Sequence, residues 1–240
     1  MAKPLLLGIL VVVAAAVPAA ESSREANLTL VNDCNYPVWP MVIPNDGSSP
    51  ISGNTVRLDR RGGAAAFIIP LSRAWSGQVV ARAGCAVETP CPSRCASGEE
   101  LAAGAVVQLQ VHAYWRADVA VYGVSLSGGF NVPATVYPAR VPDGLGVPRA
   151  RDLNPRCPAG RRVTAAGGGG VVACRSDPAP GGYFKQRCPK TLTWSGDAVD
   201  VDQRCVAPGE LKVIFCPKTM VTTNAAGGEP ELLRAAVAVA

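Results

Sequence analysis

Nine cysteines set the terms on which this chain can fold: Cys34, Cys85, Cys91, Cys95, Cys157, Cys174, Cys188, Cys205 and Cys216. In an exported chain such a set reads as a disulfide framework. An odd number leaves at least one thiol unpaired or joined to another chain. Zinc is the competing reading, and it fails on spacing. No two cysteines stand as C-x-x-C, Cys91-x-x-x-Cys95 would need distant partners, and His112 is the one histidine. No metal or other cofactor is expected.

The framework needs an oxidising compartment, and the N-terminus reads as the route to it. Lys3 gives a positive start, Leu5 to Ala16 is an apolar run broken only by Gly8, and Val17-Pro18-Ala19-Ala20 is a small-residue exit before Glu21. Residues 1–20 are therefore expected to be a secretory leader, cleaved after Ala19 or Ala20. The run falls short of the roughly 20 apolar residues that span a bilayer as a helix. Losing the leader removes Lys3 and no acid, which takes the net charge from +5 to +4. A mildly basic chain without a dense Lys/Arg helix or an RNA-binding motif has no nucleic-acid footprint.

The remainder shows no long helical periodicity. Short β-branched runs are cut by Gly, Pro, Asn and Asp, as in a sandwich or barrel. Strands are expected over 28–34, 55–58, 64–69, 77–82, 107–111, 119–126 and 211–216. Tyr36 to Pro44 should be extended, its prolines marking an edge, and Asn45 to Pro50 a turn. Val107-Gln108-Leu109-Gln110-Val111 alternates cleanly, so the glutamines share the wet face. Residues 140–183, rich in Pro, Gly and Arg, read as loops with a short hairpin ending at Val171–Cys174. Gly167 to Gly170 lacks the Lys-Ser/Thr of a phosphate loop. The tail, 218–240, is expected to be disordered or a removable sorting peptide.

Seven segments stand out in order: Leu28–Cys34 with Val38-Trp39-Pro40, Trp75–Cys85, Tyr122–Pro133 with its Gly129-Phe130-Asn131-Val132-Pro133 end, Asp152–Pro158, Val171–Cys174, Tyr183–Pro189 and Val213–Pro217. Together they resemble thaumatin-like proteins, the pathogenesis-related group of plants. They occur in the family's order and cover about residues 26–217. The resemblance implies an all-β, flattened β-sandwich with short disulfide-rich loop regions. Thirteen residues separate Cys174 from Cys188, where long members carry a cysteine-rich insertion, so the chain is similar to the short class. Matching positions implies Cys34–Cys216, Cys85–Cys91 and Cys157–Cys174. It also implies a Cys188–Cys205 bridge between two orphaned positions, with Cys95 as the free thiol.

The same resemblance implies a cleft, built in the family from one Arg, one Glu and three Asp and thought to bind β-1,3-glucan. Its positions fall on Arg82, Gln108 and Asp197, and on Gly123 and Gly128 in place of two acids. Glycoside hydrolysis ordinarily needs two carboxyl groups across the bond. Glutamine cannot exchange the proton and glycine has no side chain, so no catalytic residue is assigned. Asp118 could stand in nearby, but the strand pattern does not fix its direction. Asp197 is equally an ordinary loop carboxylate, and Arg82 equally a structural anchor. A triad would have to use His112, and a lone strand histidine is more often packing than catalysis. Tyr114, Trp115, Tyr122 and Phe130 could face a sugar or fill the core.

The expected function is a secreted defence protein, monomeric and extracellular or vacuolar, that binds fungal wall polysaccharide or membrane components without catalysis. Two alternatives are a proteinaceous inhibitor of microbial xylanase and a weak endo-β-1,3-glucanase. Arg149, Arg151, Arg156, Arg161 and Arg162 form a loose basic group suited to acidic partners, or a solvated loop. Asn27-Leu28-Thr29 is a candidate glycosylation site.

Overall fold

The computed structural model describes residues 25–51, 53, 55–70, 74–85, 95–97, 104–113, 119–140, 149–165, 169–176, 180–197, 203–206 and 209–218. The expected leader and nearly all of the expected tail lie outside these residues, as do Cys91, Tyr114, Trp115 and Asp118.

Two five-stranded sheets face each other. The first holds β1 (Glu25–Asn32), β3 (Gly63–Pro70), β8 (Ala134–Pro138), β9 (Arg149–Ala150) and β13 (Glu210–Phe215), in the order β3-β1-β13-β8-β9. The second holds β2 (Val38–Pro44), β4 (Trp75–Ala83), β5 (Val106–Val111), β6 (Val119–Ser125) and β12 (Gln203–Val206), in the order β12-β6-β5-β4-β2. β8 packs across the interior on β5 and β6. A third sheet of β7 (Gly129–Phe130), β10 (Arg162–Thr164) and β11 (Val171–Arg175) lies in the loop layer. The layer also carries one short helix, α1 (Tyr183–Arg187). The result is the flattened β-sandwich that the sequence implies.

Alternation builds the core. Ala26, Leu28 and Leu30 of β1, and Leu211, Val213 and Phe215 of β13, are all buried and share one core with Val107, Leu109 and Val111 of β5. Gln108 and Gln110 are exposed, as period-2 alternation requires. β2 is an edge strand, in keeping with its prolines. Trp75 is 1% exposed and donates from its indole nitrogen to the Ser49 carbonyl at 2.9 Å. Two residues on, a Cβ at Gly77 would collide with the Trp75 ring and the Ile43 carbonyl, so only glycine lets the ring fold back onto its own strand.

First and last strands pair in parallel, from Asn27↔Glu210 to Asn32↔Phe215. Cys34 and Cys216, just beyond their ends, are disulfide-bonded across a sequence separation of 182. Closing so long a loop restricts the unfolded chain, an effect of about 5 kcal/mol in the chain-entropy treatment and typically 2–5 when measured. Cys157 and Cys174 are bonded within the loop layer.

The other cysteine assignments are corrected. Cys85 is bonded to Cys95, not to Cys91, so Cys95 is not a free thiol. Backbone register decides this. Ala83 and Ser97 exchange hydrogen bonds as an antiparallel bridge, and Ala96 donates to the Gly84 carbonyl. Two residues further out, that register sets Cys85 opposite Cys95. Cys188 and Cys205 do not bridge each other; both are free thiols. Cys188 ends α1 beneath the Arg151 backbone, whereas Cys205 sits on edge strand β12 opposite Ala120. Residues 55–58 are also not a strand: their backbone pairs with β2 at the isolated bridges Met41↔Thr55 and Val38↔Leu58 and forms no ladder.

Candidate functional site

Two buried asparagines hold the loop layer and the Asn32 turn in place. Asn32 donates to the carbonyls of Tyr36, Leu58 and Asp59 and accepts from the Cys34 amide. Asn131 donates to the Ala81 carbonyl of β4 at 2.7 Å, and its Oδ1 accepts from the Ala105 and Val132 amides. Burying an amide is tolerated when its hydrogen bonds are made, and both residues make them. Asn154 extends the chain of contacts by donating to the Asn131 carbonyl at 2.9 Å.

Between these anchors a cleft of about 780 Å³ opens where β2 and β4 meet the loop layer. One side presents Tyr36, Trp39 and Arg57; the other presents Asn131, Asn154 and Val172. The Arg57 guanidinium lies 5.8 Å from the centre of the Trp39 ring, and its Nη2 is 3.0 Å from Asp59 Oδ1. Trp39 is thus covered, at 4% exposure, and Tyr36, at 36%, is the aromatic surface on offer. Burial, with a smaller push from Asp152, raises the Tyr36 phenol to about 12, so it is protonated at neutral pH.

Asp152 is the one carboxylate among the described lining residues. Its Oδ1 accepts from the Asn154 amide at 3.1 Å. Two buried polar atoms on cleft residues, Arg57 Nε and Asn154 Oδ1, have no partner among the described residues. One is a donor and the other an acceptor, and both lie below the surface, out of reach of a ligand in the cleft.

The three expected cleft residues do not converge. Arg82 and Gln108 project from the same outer face of the second sheet, by the register Trp39↔Arg82 and Gln78↔Gln108. Arg82 stands four residues beyond Gln78 along β4, roughly 13 Å at strand rise. It is 6% exposed and makes a long contact, 3.5 Å from Nε to the Trp39 carbonyl. Gln108 lines a separate groove of about 330 Å³ with Asn45, Ser76, Gln78 and Gln110. Gly123 is its direct register partner. Two of the four positions that resemblance makes acidic are therefore neighbours, and both lack a carboxylate.

Asp197 lines neither space. Its Oδ2 accepts from the Thr193 amide at 2.8 Å and hydroxyl at 2.9 Å, and its Oδ1 is 3.0 Å from Lys185 Nζ. Its loop joins β6, since Leu192 exchanges backbone bonds with Val124 and Leu126. His112 is buried just after β5 with φ 58°. Tyr122 and Phe130 are core residues. Tyr36 and Arg57 were not legible as site residues, because neither falls in a regular strand and only the fold brings both against Trp39. Among the described residues no cluster of three or more His, Cys, Asp or Glu could hold a metal.

A disulfide-stapled sandwich with a neutral cleft against a short loop layer defines the class, and the comparisons give the family. A model described as the Thaumatin family matches residues 32–180. An osmotin-like protein of Solanum lycopersicum is 34% identical over 228 residues, covering 79% of this chain and 88% of that protein. Zeamatin of Zea mays is 28% identical over 230 residues, covering 82% and 93%. Pathogenesis-related thaumatin-like protein 3.5 of Cryptomeria japonica is 27% identical over 226 residues, covering 80% and 90%. The chain belongs to the thaumatin family. Among solved structures it is similar to a thaumatin-like xylanase inhibitor at 18% identity and a TM-score of 0.42, covering 79% of this chain and 99% of that one, a likeness too slight to carry an argument about partners.

Proposed function

We propose that this is a secreted plant defence protein that holds a neutral wall polysaccharide, β-1,3-glucan first among candidates, in the Tyr36–Arg57–Asn154 cleft without cleaving it. Relatives with pathogenesis-related names support the defence role, and residues 1–20 read as the leader for export. The observation that carries the ligand class is an exposed tyrosine on a cleft whose wall holds Asn131 and Asn154 and a single described carboxylate. Sugars offer an apolar ring face to the tyrosine and hydroxyls to the polar wall. Cleavage is disfavoured because Asp152 stands without a second described carboxylate in the cleft. Retention on insoluble β-1,3-glucan tests the reading. Tyr36→Ala and Arg57→Ala should each reduce retention about tenfold, the effect of losing roughly 1.4 kcal/mol. Retention unchanged in both variants would refute it.

A second reading, inhibition of a microbial xylanase, draws on a different surface. A groove of about 510 Å³ beside α1 is lined by Arg151, Arg156 and Arg187, with Asp152 as its acid. Three exposed guanidinium groups suit an enzyme cleft that works with two carboxylates. Inhibition that is lost in Arg156→Glu, with glucan retention intact, would favour this reading over the first.

A further inference from the structure

Asn27-Leu28-Thr29 is the one Asn-x-Ser/Thr triplet in the sequence. It lies within β1, a strand with neighbours on both sides, which would be a poor acceptor if the folded strand had to be read. Two structural facts alter that judgement. The Asn27 side chain points away from the core, between the buried Ala26 and Leu28, and no described residue hydrogen-bonds it. The Thr29 hydroxyl, which the modifying enzyme must read, is closed off in the folded protein by a 2.7 Å bond to Glu210 Oε1. Glu210 comes 181 residues after Thr29, on β13, so that bond cannot form until almost the whole chain has been made. Throughout that interval β1 lacks its parallel partner and the triplet is open.

The surface around Asn27 also has a use for a glycan. Its cross-strand neighbour on β3 is Ile68, by the register Asn27↔Ile68. Ile68 is 57% exposed and is one of only three exposed large hydrophobic residues among those described. An outward isoleucine on a sheet face is an adhesive spot unless something covers it.

We propose that Asn27 carries an N-linked glycan, added before β13 pairs with β1, whose first sugars lie over Ile68. The donor is a lipid-diphosphate-linked oligosaccharide supplied by the host transferase. Asn27 Nδ2 forms a bond to the anomeric carbon and gives up a proton to the enzyme's base. The bond from that carbon to the diphosphate breaks, and the lipid diphosphate leaves. The proposal rests on entry into the secretory pathway, part of the function proposed above.

The test separates the two. In one arm yeast expresses the full chain with its own residues 1–20, and secretion is read. In the other a host leader ahead of residue 1 carries the full chain into the lumen regardless, and Asn27 is read by mass spectrometry after amidase release in heavy-oxygen water. In the second arm we expect labelled conversion of Asn27 to Asp, lost in Asn27→Gln and Thr29→Ala and kept in Thr29→Ser. Unmodified Asn27 in that arm overturns the proposal; retention of the first arm's product inside the cell speaks against export alone. Asn27→Gln should also bind an apolar dye at least twofold more strongly, and adding Ile68→Thr should restore the original level. Dye binding unchanged in Asn27→Gln would refute the covering of Ile68.

Discussion

Lys185 Nζ lies 3.0 Å from Asp197 Oδ1, and the other oxygen of that carboxylate takes both hydrogen bonds of Thr193. The acid that resemblance suggests as a ligand is instead a bolt between α1 and the loop on β6. With 7% of its side chain exposed, it leaves little to offer a sugar. Asp197→Ala strands a partly buried ammonium and a Thr193 amide, at a cost on the order of 2–4 kcal/mol. Thermal unfolding should show that loss while glucan retention at 20 °C stays at the original level. Lost retention with unchanged stability would return Asp197 to the binding site.

The same carboxylate sets a pH dependence. Burial pushes its pKa up, but the Thr193 amide, Lys185 and the Thr193 hydroxyl outweigh burial and hold it below the ordinary range. A folded pKa lowered in this way adds stability above the unfolded value, about 3.9, that disappears as pH falls through the folded value. Denaturant midpoints taken from pH 6 to pH 2 should therefore fall less steeply below pH 4 in Asp197→Asn than in the original protein. Parallel curves would contradict the assignment.

Cysteine connectivity gives a third prediction. Cys91→Ser should leave the Cys85–Cys95 peptide pair intact in non-reducing maps, and Cys95→Ser should abolish it. Burial pushes the Cys205 thiol up to about 11, against a smaller opposing effect of the Ala120 backbone, and burial also raises Cys188. Since the thiolate is the reactive form, alkylation of both at pH 8 should be slow in the native protein and complete in denaturant. Rapid native labelling of Cys188 would show that the Arg151 backbone does not cover it.

Asn131 tests how the cleft is held. Asn131→Ala leaves the Ala81 carbonyl and the Ala105 and Val132 amides without their partner. At about 1–3 kcal/mol for each buried group left unpaired, less whatever water recovers, a net loss of roughly 3 kcal/mol is expected. Glucan retention should fall with it, because the same side chain fixes the cleft wall. A variant as stable as the original would mean the loop layer is held elsewhere.

Much of the sandwich was legible because alternation is local. β1, β5 and β13 bury every second residue, and that pattern survives in sequence. β8 was not legible: all five of its residues are buried, so nothing alternates, and prolines stand before and at its end. The Cys85–Cys95 pair was hidden because its register comes from the bridge Ala83↔Ser97, where no strand pattern exists. At the positions where resemblance implies acids, the absence of carboxylates could be read residue by residue from Gln108 and Gly123. The burial of Arg82 and the capture of Asp197 by Lys185 could not, since each depends on residues far along the chain.

Binding without cleavage is most directly tested by one incubation on insoluble β-1,3-glucan, with pelleted protein and released reducing ends read from the same tube. The account predicts protein in the pellet, reduced about tenfold by Tyr36→Ala, and no reducing ends above a boiled control. Steady release of reducing ends that disappears in Asp152→Asn would contradict it.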